Sequence, residues 1–508
     1  MLFDANINVL VLTPRLLTVE LAGSGARDRL EAPLRWRLVS SGVVAQDGLA
    51  ERPVLTLEGL VPGIAYELAV EGFEDIKFAT PPETAFIDIR DHGASEAAAD
   101  NGKAFAAAIA AAPEGTTLYV PPGIWRTGAV YLKSGLFVHL PEGATIKGVA
   151  DRGAYEVLEA FGADGRQQAS WEGVPAKCYA SLFTAMDADR VTIAGKGVID
   201  GAGAEGDWWE WPKETRDGAR RPRTVFANRC TQLKMSGLTV RNSPSWTIHP
   251  LDCAEAVFAD LIIENPADSP NTDGLNPESS TDIEIVGVRF SVGDDCIAIK
   301  AGKIWPDGTV PAPTRNVSVR HCLMERGHGG VVIGSEMSGS VTDVTVELCT
   351  MVATDRGLRI KSRRGRGGEV ARIVLRDCAM DGVKTALSVN SHYFCDPDGM
   401  SDAVQNRVPA PVDATTPRIA DIAFLRTEVR NAHHALAYVL GLAEAPISGL
   451  TIADVTVTYA PEAVADVPDM ALGLPTLRHG GIITENVHDP KITGITGTTD
   501  TDTIRERA

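Results

Sequence analysis

Residues 230–240 read Cys-Thr-Gln-Leu-Lys-Met-Ser-Gly-Leu-Thr-Val, and this pattern returns through the second half of the chain. Residues 253–263, Cys-Ala-Glu-Ala-Val-Phe-Ala-Asp-Leu-Ile-Ile, and residues 280–290, Ser-Thr-Asp-Ile-Glu-Ile-Val-Gly-Val-Arg-Phe, show the same two short β-rich runs around a turn. Further copies lie at residues 314–323, 341–348, 370–378 and 419–429. Each run is too short for a helix, and the period falls in the range of stacked repeat proteins.

A single coil of this kind cannot bury its own apolar face, whereas stacked coils bury a continuous core. The competing architecture is a β-propeller or a pair of β-sandwiches. Propeller blades, however, run about 40 to 50 residues with four strands each, and the period here is shorter. We therefore predict an all-β chain whose main part is a parallel β-helix.

The cysteines fit the same repeat. Their even number would permit disulfides, but several recur at the spacing of the repeat, and no pair has the close spacing of a zinc site. We expect small apolar side chains stacked in the core instead. The eight cysteines are Cys178, Cys230, Cys253, Cys296, Cys322, Cys349, Cys378 and Cys395.

The composition bounds the function. The chain has 508 residues, 44% of them hydrophobic, and a net charge of −19. Such acidity argues against general binding to nucleic acid or to a membrane surface. Residues 1–21 do not resemble a signal peptide, because Asp4 stands where basic residues are expected and Pro14 interrupts the apolar run. The sequence fits either a cytoplasmic protein that starts at Met1 or an exported one whose leader was removed.

The first part of the chain, residues 1–82, reads as short strands separated by turns. Residues 55–66 resemble the strand E, corner and strand F region of a fibronectin type III domain, with Tyr66 as the corner tyrosine. The pair Pro81-Pro82 provides a linker. We therefore expect a small β-sandwich over residues 1–82, followed by the β-helix over residues 85–508.

The opening of the second part is also distinctive. Residues 87–94 precede an alanine-rich helix predicted at residues 101–112, and Thr-Leu-Tyr-Val-Pro-Pro-Gly follows at residues 117–123. This order resembles the right-handed β-helix proteins that degrade pectin, in which a short helix caps the N-terminal end of the coil. Such a cap covers an otherwise open sheet edge. The resemblance implies a right-handed, pectin-lyase-like solenoid.

Four polar motifs lie about one repeat apart. The spacings are 21, 34 and 31 residues, counted from Asp273 to Asp294, to His328 and to Arg359. In a coiled repeat fold such spacings stack the motifs on one face. The motifs are Asn271-Thr272-Asp273-Gly274, Gly293-Asp294-Asp295-Cys296, Gly327-His328-Gly329-Gly330 and Arg359-Ile360-Lys361.

The three aspartates suit acid–base cleavage of a glycosidic bond. That reaction needs a proton for the leaving oxygen and a base for the attacking water. Carboxylates that lie close together raise one another's pKa, which keeps one protonated as the acid. An Asp-Asp pair alone is typical of a turn, and three carboxylates also suit calcium. Neither alternative explains a histidine and a basic pair at the following coils.

Residues 356–372 form a basic cluster with one acid, Glu369, in an otherwise acidic chain. A solvated charged loop is the ordinary explanation of such a run. A substrate carboxylate is the functional one, because Arg binds a carboxylate with two hydrogen bonds and Lys as a point charge. A uronic acid in the site would supply that carboxylate.

Together the motifs resemble glycoside hydrolase family 28, the polygalacturonases, over roughly residues 86–459. The resemblance implies hydrolysis of α-1,4-galacturonosyl linkages with inversion, and without a metal or cofactor. Asp294 matches the general acid, Asp273 and Asp295 the pair that activates water, and His328 the histidine that supports the acid. The resemblance also implies substrate-binding positions, namely Asn271, Arg359, Lys361, Lys300, His249 and Tyr393.

Local features are similar to exo-acting bacterial members, among them residues 208–211, 245–250 and 392–398. Exo action requires loops that close one end of the groove. We expect insertions at residues 155–180, 207–223 and 305–313 to do so, releasing mono- or digalacturonate from a pectic polysaccharide or oligogalacturonide. An endo-acting enzyme, a calcium-dependent β-helix lyase and a non-catalytic carbohydrate-binding solenoid remain alternatives, and the oligomeric state is open.

Overall fold

The computed structural model describes residues 6–497 and the backbone of the strand Ile504–Arg507. From residue 85 onward the chain winds into a right-handed parallel β-helix, as predicted from the repeats. Each coil contributes short parallel strands that pair with the strands of the coils before and after it. No helix among these residues is long and apolar enough to span a membrane.

Two faces of the β-helix belong to one continuous parallel sheet. Its strands are Ala85–Asp88, Thr116–Tyr119, Gly123–Thr127, Leu136–Leu140, Ala144–Gly148, Thr192–Gly195, Val198–Asp200, Lys234–Ser236, Thr239–Arg241, Ala254–Ala259, Ile262–Glu264, Thr281–Val286, Arg289–Ser291, Thr314–Arg320, Leu323–Glu325, Val341–Glu347, Thr350–Val352, Glu369–Arg376, Ala379–Asp381, Arg418–Leu425, Glu428–Ala432, Ile447–Ser448, Thr451–Tyr459, Val487–His488 and Lys491–Gly497.

The remaining face, here called the front sheet, carries the polar motifs. Single β-bridges at Leu275 join its two halves. Its strands are Val130–Leu132, Phe183–Met186, Val225–Asn228, Ile248–Leu251, Ile297–Ile299, Val331–Ile333, Arg356–Lys361, Thr385–Asn390, Ala435–Leu440, Ile482–Glu485 and Ile504–Arg507.

The core is a set of apolar ladders. One ladder pairs a large apolar side chain with its counterpart on each successive coil, and every member is fully buried: Met235, Phe258, Ile285, Val319, Val346, Leu375, Phe424 and Ile452. Burial of one such side chain stabilises the fold by roughly 1.5–3 kcal/mol. Cys322, Cys349 and Cys378 form a parallel ladder of buried, unpaired thiols, as expected, whereas Cys395 is exposed.

A helix at Gly102–Ala111 caps the N-terminal end of the coil, at the predicted position. It buries Phe105 and Ile109 in the core, together with Ala104 and Ala108. Outside the coil, short hairpin strands occur at Val157–Leu158, Cys178–Tyr179, Ser170–Trp171 and Val174–Pro175, short 3-10 helices at Ile89–His92, Arg152–Ala154 and Trp208–Glu210, and a single helical turn at Asp402–Gln405.

Before the β-helix, two antiparallel sheets form a small sandwich. The strands of one are Asn6–Leu12, Leu16–Ala22 and Val54–Glu58, and those of the other are Leu34–Ser40, Val43–Ala50, Ala65–Val70 and Ile76–Ala79. The Val61 N–H donates to the Tyr66 hydroxyl at 3.0 Å, which is the contact expected of a corner tyrosine. The fibronectin type III identity and the boundary at residue 82 stay predictions.

The sandwich packs on the side of the β-helix. Glu20 accepts two hydrogen bonds from the Arg320 guanidinium, at 2.6 and 2.9 Å, and Thr18 bonds Ser236 at 2.5 Å. Leu10, Val11, Leu16 and Val54 of the sandwich share an apolar cluster with Phe137, Ala194, Ala259 and Val286 of the coil. The sandwich therefore rests on the continuous sheet and leaves the front sheet uncovered.

Candidate active site

The four motifs lie side by side on the front sheet because its strands are in register. Leu275 pairs with Ile297, Ile297 pairs with Val331, and Val331 pairs with Leu358. Neighbouring strands are about 4.8 Å apart, so side chains at matching positions come together in rows. The predicted stacking of the motifs on one face is confirmed.

Backbone hydrogen bonds fix the loops that carry the aspartates. The Gly274 N–H donates to the Asp295 carbonyl oxygen at 3.0 Å, and the His328 N–H donates to the Asp294 carbonyl oxygen at 3.1 Å. Asp273 is thereby held beside Asp295, and Asp294 beside His328.

Asp273 is nearly buried at the floor of the site, with 3% exposure. Its Oδ2 accepts a hydrogen bond from Asn276 Nδ2 at 2.8 Å and lies 3.7 Å from Lys300 Nζ. Burial and the neighbouring charge of Asp294 nevertheless raise the pKa of Asp273 to about 7. This carboxyl therefore keeps a proton up to near-neutral pH.

Asp294 is more open and is paired with His328. The Asp294 Oδ1 lies 3.1 Å from His328 Nδ1. Burial opposes ionisation of Asp294, but the hydrogen bond and the charge of His328 outweigh it and lower its pKa. The same hydrogen bond raises the pKa of His328. An ionised Asp294 thus lies next to a protonated Asp273 in the free site.

Asp295 is held by a lysine from two coils further on. Lys361 Nζ donates to its Oδ2 at 2.7 Å, while Oδ1 has no hydrogen-bond partner among the residues that the structure describes. Gly329 packs over this carboxylate. A Cβ at Gly329 would lie 3.4 Å from Oδ1, which is ordinary contact, but 2.4 Å from a methyl of Val332, so a larger residue there would force Val332 to shift.

Lys300 joins the aspartates to an indole and a further acid. Its Nζ lies 4.0 Å from the centroid of the Trp246 ring and 3.3 Å from Glu336 Oε2. Burial opposes the charge of Lys300, but the attraction of Glu336 and Asp273 outweighs it and raises its pKa. The ammonium therefore remains charged within the site.

Tyr393 forms another side of the site and rests on cations. Arg359 Cζ lies 5.2 Å from the centroid of its ring, and Lys361 Nζ lies 5.4 Å from it. Arg359 is 3% exposed and forms an ion pair with the buried Asp469. Arg359 therefore supports Tyr393 from below, whereas Lys361 faces the pocket.

Three other arginines of the basic cluster bind carboxylates of the protein itself. Arg363 and Arg366 form ion pairs with Asp396, and Arg364 forms one with Glu444. Both partners lie in loops that follow strands of the front sheet. These arginines therefore anchor loops, and Lys361 is the member of the cluster that lines the pocket.

His249 differs from the expectation that it contacts substrate. Its side chain is fully buried, and Nε2 bonds Glu278 at 2.8 Å. The ring packs edge-on against Trp246, with 5.0 Å between centroids. Burial outweighs the attraction of Glu278 and lowers the pKa of His249 to about 4. His249 is thus a neutral support beneath Trp246.

These side chains enclose one pocket. It is lined by Glu172, Lys213, Trp246, Asn271, Asp273, Asp294, Asp295, Lys300, Ser335, Glu336, Lys361, Tyr393 and Cys395. The structure thus brings Asn271, Lys300, Lys361 and Tyr393 around the three aspartates, with His328 bonded to one of them, and it leaves Arg359 and His249 behind the lining.

Two of the predicted insertions, residues 155–180 and 207–223 and here called the wall, each contribute a residue to the lining of the pocket, Glu172 and Lys213. At a hairpin tip in the first, the Gly173 carbonyl oxygen accepts the Lys303 N–H at 2.8 Å. Lys213 of the second insertion forms an ion pair with Glu172 at that tip.

The third insertion, residues 305–313, braces the wall from outside. Trp305 packs edge-on against Phe161 of the first insertion, with 5.6 Å between ring centroids. No residue of this insertion lines the pocket as the described residues form it.

Comparison with known proteins places the chain in a family. The profile of Glycosyl hydrolases family 28 matches residues 157–471, which is more than half of the chain. The chain belongs to glycosyl hydrolase family 28. A probable polygalacturonase of Vitis vinifera is 31% identical over 69% of this chain and 68% of its own length.

Two bacterial relatives of this family 28 protein are named for exo action. An exo-poly-alpha-D-galacturonosidase of Dickeya chrysanthemi is 26% identical over 70% of this chain and 66% of its own length. The crystal structure of an exopolygalacturonase from Thermotoga maritima superimposes with a TM-score of 0.63 and 25% identity, covering 80% of this chain and 92% of that one.

Two charged residues of this family 28 site, Glu336 and Asp469, lie outside the motifs and the predicted insertions and are not among the predicted site residues. Glu336 follows His328 by eight residues, and Asp469 lies 110 residues beyond Arg359. The sequence could have indicated Glu336, because its position in the repeat puts it on the coil next to Lys300. The sequence does not indicate Asp469, because this residue lies in a long loop that returns to the front sheet.

The carboxylates of the site have protein partners. Among residues 6–497, no group of three or more His, Cys, Asp and Glu side chains is arranged to hold a metal ion. Lys300 and Lys361 supply the positive charge inside the aspartate cluster instead.

We expect Asp273→Asn to stabilise the protein, increasingly so as pH rises from 4 to 7. Across that window native Asp273 keeps a proton that the unfolded chain has released, so wild-type stability falls with rising pH. The amide lacks this penalty, and the gain at pH 7 is on the order of a few kcal/mol. Calorimetric melting of both proteins between pH 4 and 8 measures it.

Asp282→Asn, at an exposed carboxylate of the same β-helix, is the matched control. A difference between Asp273→Asn and wild type that is constant across the window would show that Asp273 ionises normally.

Proposed function

We propose that this protein hydrolyses α-1,4-galacturonosyl linkages of polygalacturonate and its oligomers with inversion, and that it acts from one chain end and releases mono- or digalacturonate. The observation that carries the proposal is the pocket itself. Three aspartates and three lysines line it, His328 bonds one of the aspartates, and Glu172 and Lys213 of the wall line one side. The names of the relatives support the substrate class.

The reaction requires one proton and one activated water. Asp294 donates the proton to the leaving oxygen, and Asp273 with Asp295 accepts a proton from the water. Asp295 Oδ1 lacks a donor from the described residues and is ready to accept a hydrogen bond from that water. Lys361 holds the carboxylate in place through Oδ2.

The resting site has its proton on Asp273, whereas catalysis needs it on Asp294. The charge of Asp294 acts on Asp273, so the two carboxyls titrate as a pair and the proton can pass to the other member when the surroundings change. A substrate oxygen next to Asp294 replaces water there and favours its neutral form, because a neutral acid can donate to that oxygen. Substrate binding thereby moves the proton to the acid and frees Asp273 as the base.

Cations in the pocket can bind the carboxylate of an acidic sugar. Lys300 and Lys361 lie two coils apart in the same row of the front sheet, since Ile299 pairs with Ile333 and Ile333 with Ile360. Both ammonium groups stay charged, and each is close enough to the pocket to attract a uronate carboxylate. The ring of Tyr393 also lines the pocket and can contact the sugar.

We expect Asp294→Asn to lower turnover of polygalacturonate about 10²–10⁴-fold. The loss should largely disappear on an aryl galacturonoside with an acidic phenol, because such a leaving group departs without a proton. Asp273→Asn should be slow on both substrates, since it removes the base. Initial rates of reducing-end and phenol release measure this.

The assignment fails if the aryl substrate rescues Asp273→Asn and not Asp294→Asn. Release of an unsaturated product that absorbs in the ultraviolet would instead show a lyase.

We expect the wall to set product length. Early in digestion of polygalacturonate, the wild type should release one short product. The variant Glu172→Ala/Lys213→Ala removes the ion pair between the two insertions, so longer oligomers should join that product. The variant Lys177→Ala/Glu159→Ala removes an exposed pair of the same insertion and should leave the product unchanged. Product sizing at low conversion decides it, and a spread of oligomers from the wild type would mean endo action.

A further inference from the structure

Two arginines of the wall, Arg221 and Arg223, differ from the cations that line or support the pocket. Lys213, Lys300, Lys361 and Arg359 each have a carboxylate partner within ion-pair distance. Arg221 and Arg223 have none in the part of the chain that the structure describes.

Both guanidinium groups are buried, with 0% and 3% exposure for Arg221 and Arg223. Arg221 donates to the carbonyl oxygens of Pro244 at 2.8 Å, Pro270 at 2.9 Å and Pro212 at 3.1 Å. Carbonyl oxygens accept hydrogen bonds from its Nη1 and Nη2 without cancelling its charge, while its Nε has no partner among the residues that the structure describes. An unpaired buried charge is costly, so a compensating use is expected.

Arg221 contacts one side chain of the pocket lining. Its Nη2 donates to Asn271 Oδ1 at 2.8 Å, which fixes the orientation of that amide. With one lone pair of the oxygen engaged and the oxygen directed to Arg221, the amide offers chiefly its NH₂ group to the pocket that it lines. Asn271 is therefore a hydrogen-bond donor, suited to an oxygen that only accepts.

Arg223 contacts two indole rings, one of which lines the pocket. Its Cζ lies 5.0 Å from the centroid of the Trp171 ring and 4.9 Å from that of Trp246. Trp246 lines the pocket beside Lys300. Arg221 Cζ also lies over Trp171, at 5.5 Å. Buried positive charge thus backs both Asn271 and Trp246 on the wall side.

We propose that Arg221 and Arg223 are specificity-determining positioning residues that make the wall side of the pocket selective for an anionic terminal sugar. They do so by orienting Asn271 as a donor and by supplying positive charge that no carboxylate of the described residues meets at ion-pair distance. Charges act strongly there because little water screens them. The inference rests on the proposed function, since a uronate supplies the anion. It also explains how a chain with a net charge of −19 admits an acidic polymer.

Burial and the neighbouring Arg223 lower the pKa of Arg221 to about 9. The guanidinium is still charged at neutral and acidic pH. Its positive charge is therefore present under the conditions in which the carboxylate of a uronic acid is ionised.

The test compares binding of trigalacturonate with binding of its carboxyl-reduced counterpart, a neutral trisaccharide of the same size. Calorimetry is done in the Asp294→Asn background, so that neither ligand is cleaved. Arg221→Met should weaken trigalacturonate about tenfold or more relative to the neutral ligand. Arg221→Lys should keep most of the discrimination because it keeps the charge.

Arg220→Met is the matched control. Arg220 lies over the same Trp171 ring, at 5.5 Å, but is partly exposed, so water screens its charge and discrimination should not change. If Arg221→Met does not fold, Arg223→Met is measured in the same way. An unchanged ratio of the two affinities in the folded variant, or equal losses for both ligands, overturns the proposal.

The outcome is separable from the proposed function. If the parent protein shows no preference for the acidic ligand, the substrate class is wrong. If the parent prefers it and the arginine variants do as well, only the role of Arg221 and Arg223 is wrong.

Discussion

The register of the front sheet is the constraint on which the whole site depends. Parallel strands about 4.8 Å apart allow side chains of successive coils to meet only at matching positions. Leu275, Ile297, Val331 and Leu358 hold that register from inside the core. A one-residue slip in any coil would turn its polar residues inward. The apolar ladders thus position the aspartates as well as stabilise the fold.

The second constraint is charge. Three aspartates in one pocket repel one another, and this repulsion is offset by Lys300, Lys361 and His328. One proton on Asp273 completes the balance in the resting site. Chemically identical carboxyls can act as an acid and as a base because their different environments give them different pKa values. The further positive charge of Arg221 and Arg223 is held outside this cluster, in the wall.

Much of this was predictable from the sequence, because its signals are local. The repeats predict the β-helix, the alanine-rich segment predicts the cap, and the motif spacing predicts the stacking. What escaped prediction depends on distant segments. Arg359 is neutralised by Asp469 from a loop 110 residues away, and residue type alone cannot reveal that partner. His249 looks like a ligand residue by its neighbours, yet its register position puts it beneath Trp246.

The reaction proposed for this pocket is a single displacement by water at one end of an acidic chain. Proton NMR of trigalacturonate during the first turnovers tests it directly, because it reads the configuration of the new reducing end before mutarotation. The newly formed end should appear as the β-anomer. An α-anomer formed first would rule out the single displacement, because it would require a covalent intermediate in place of the water.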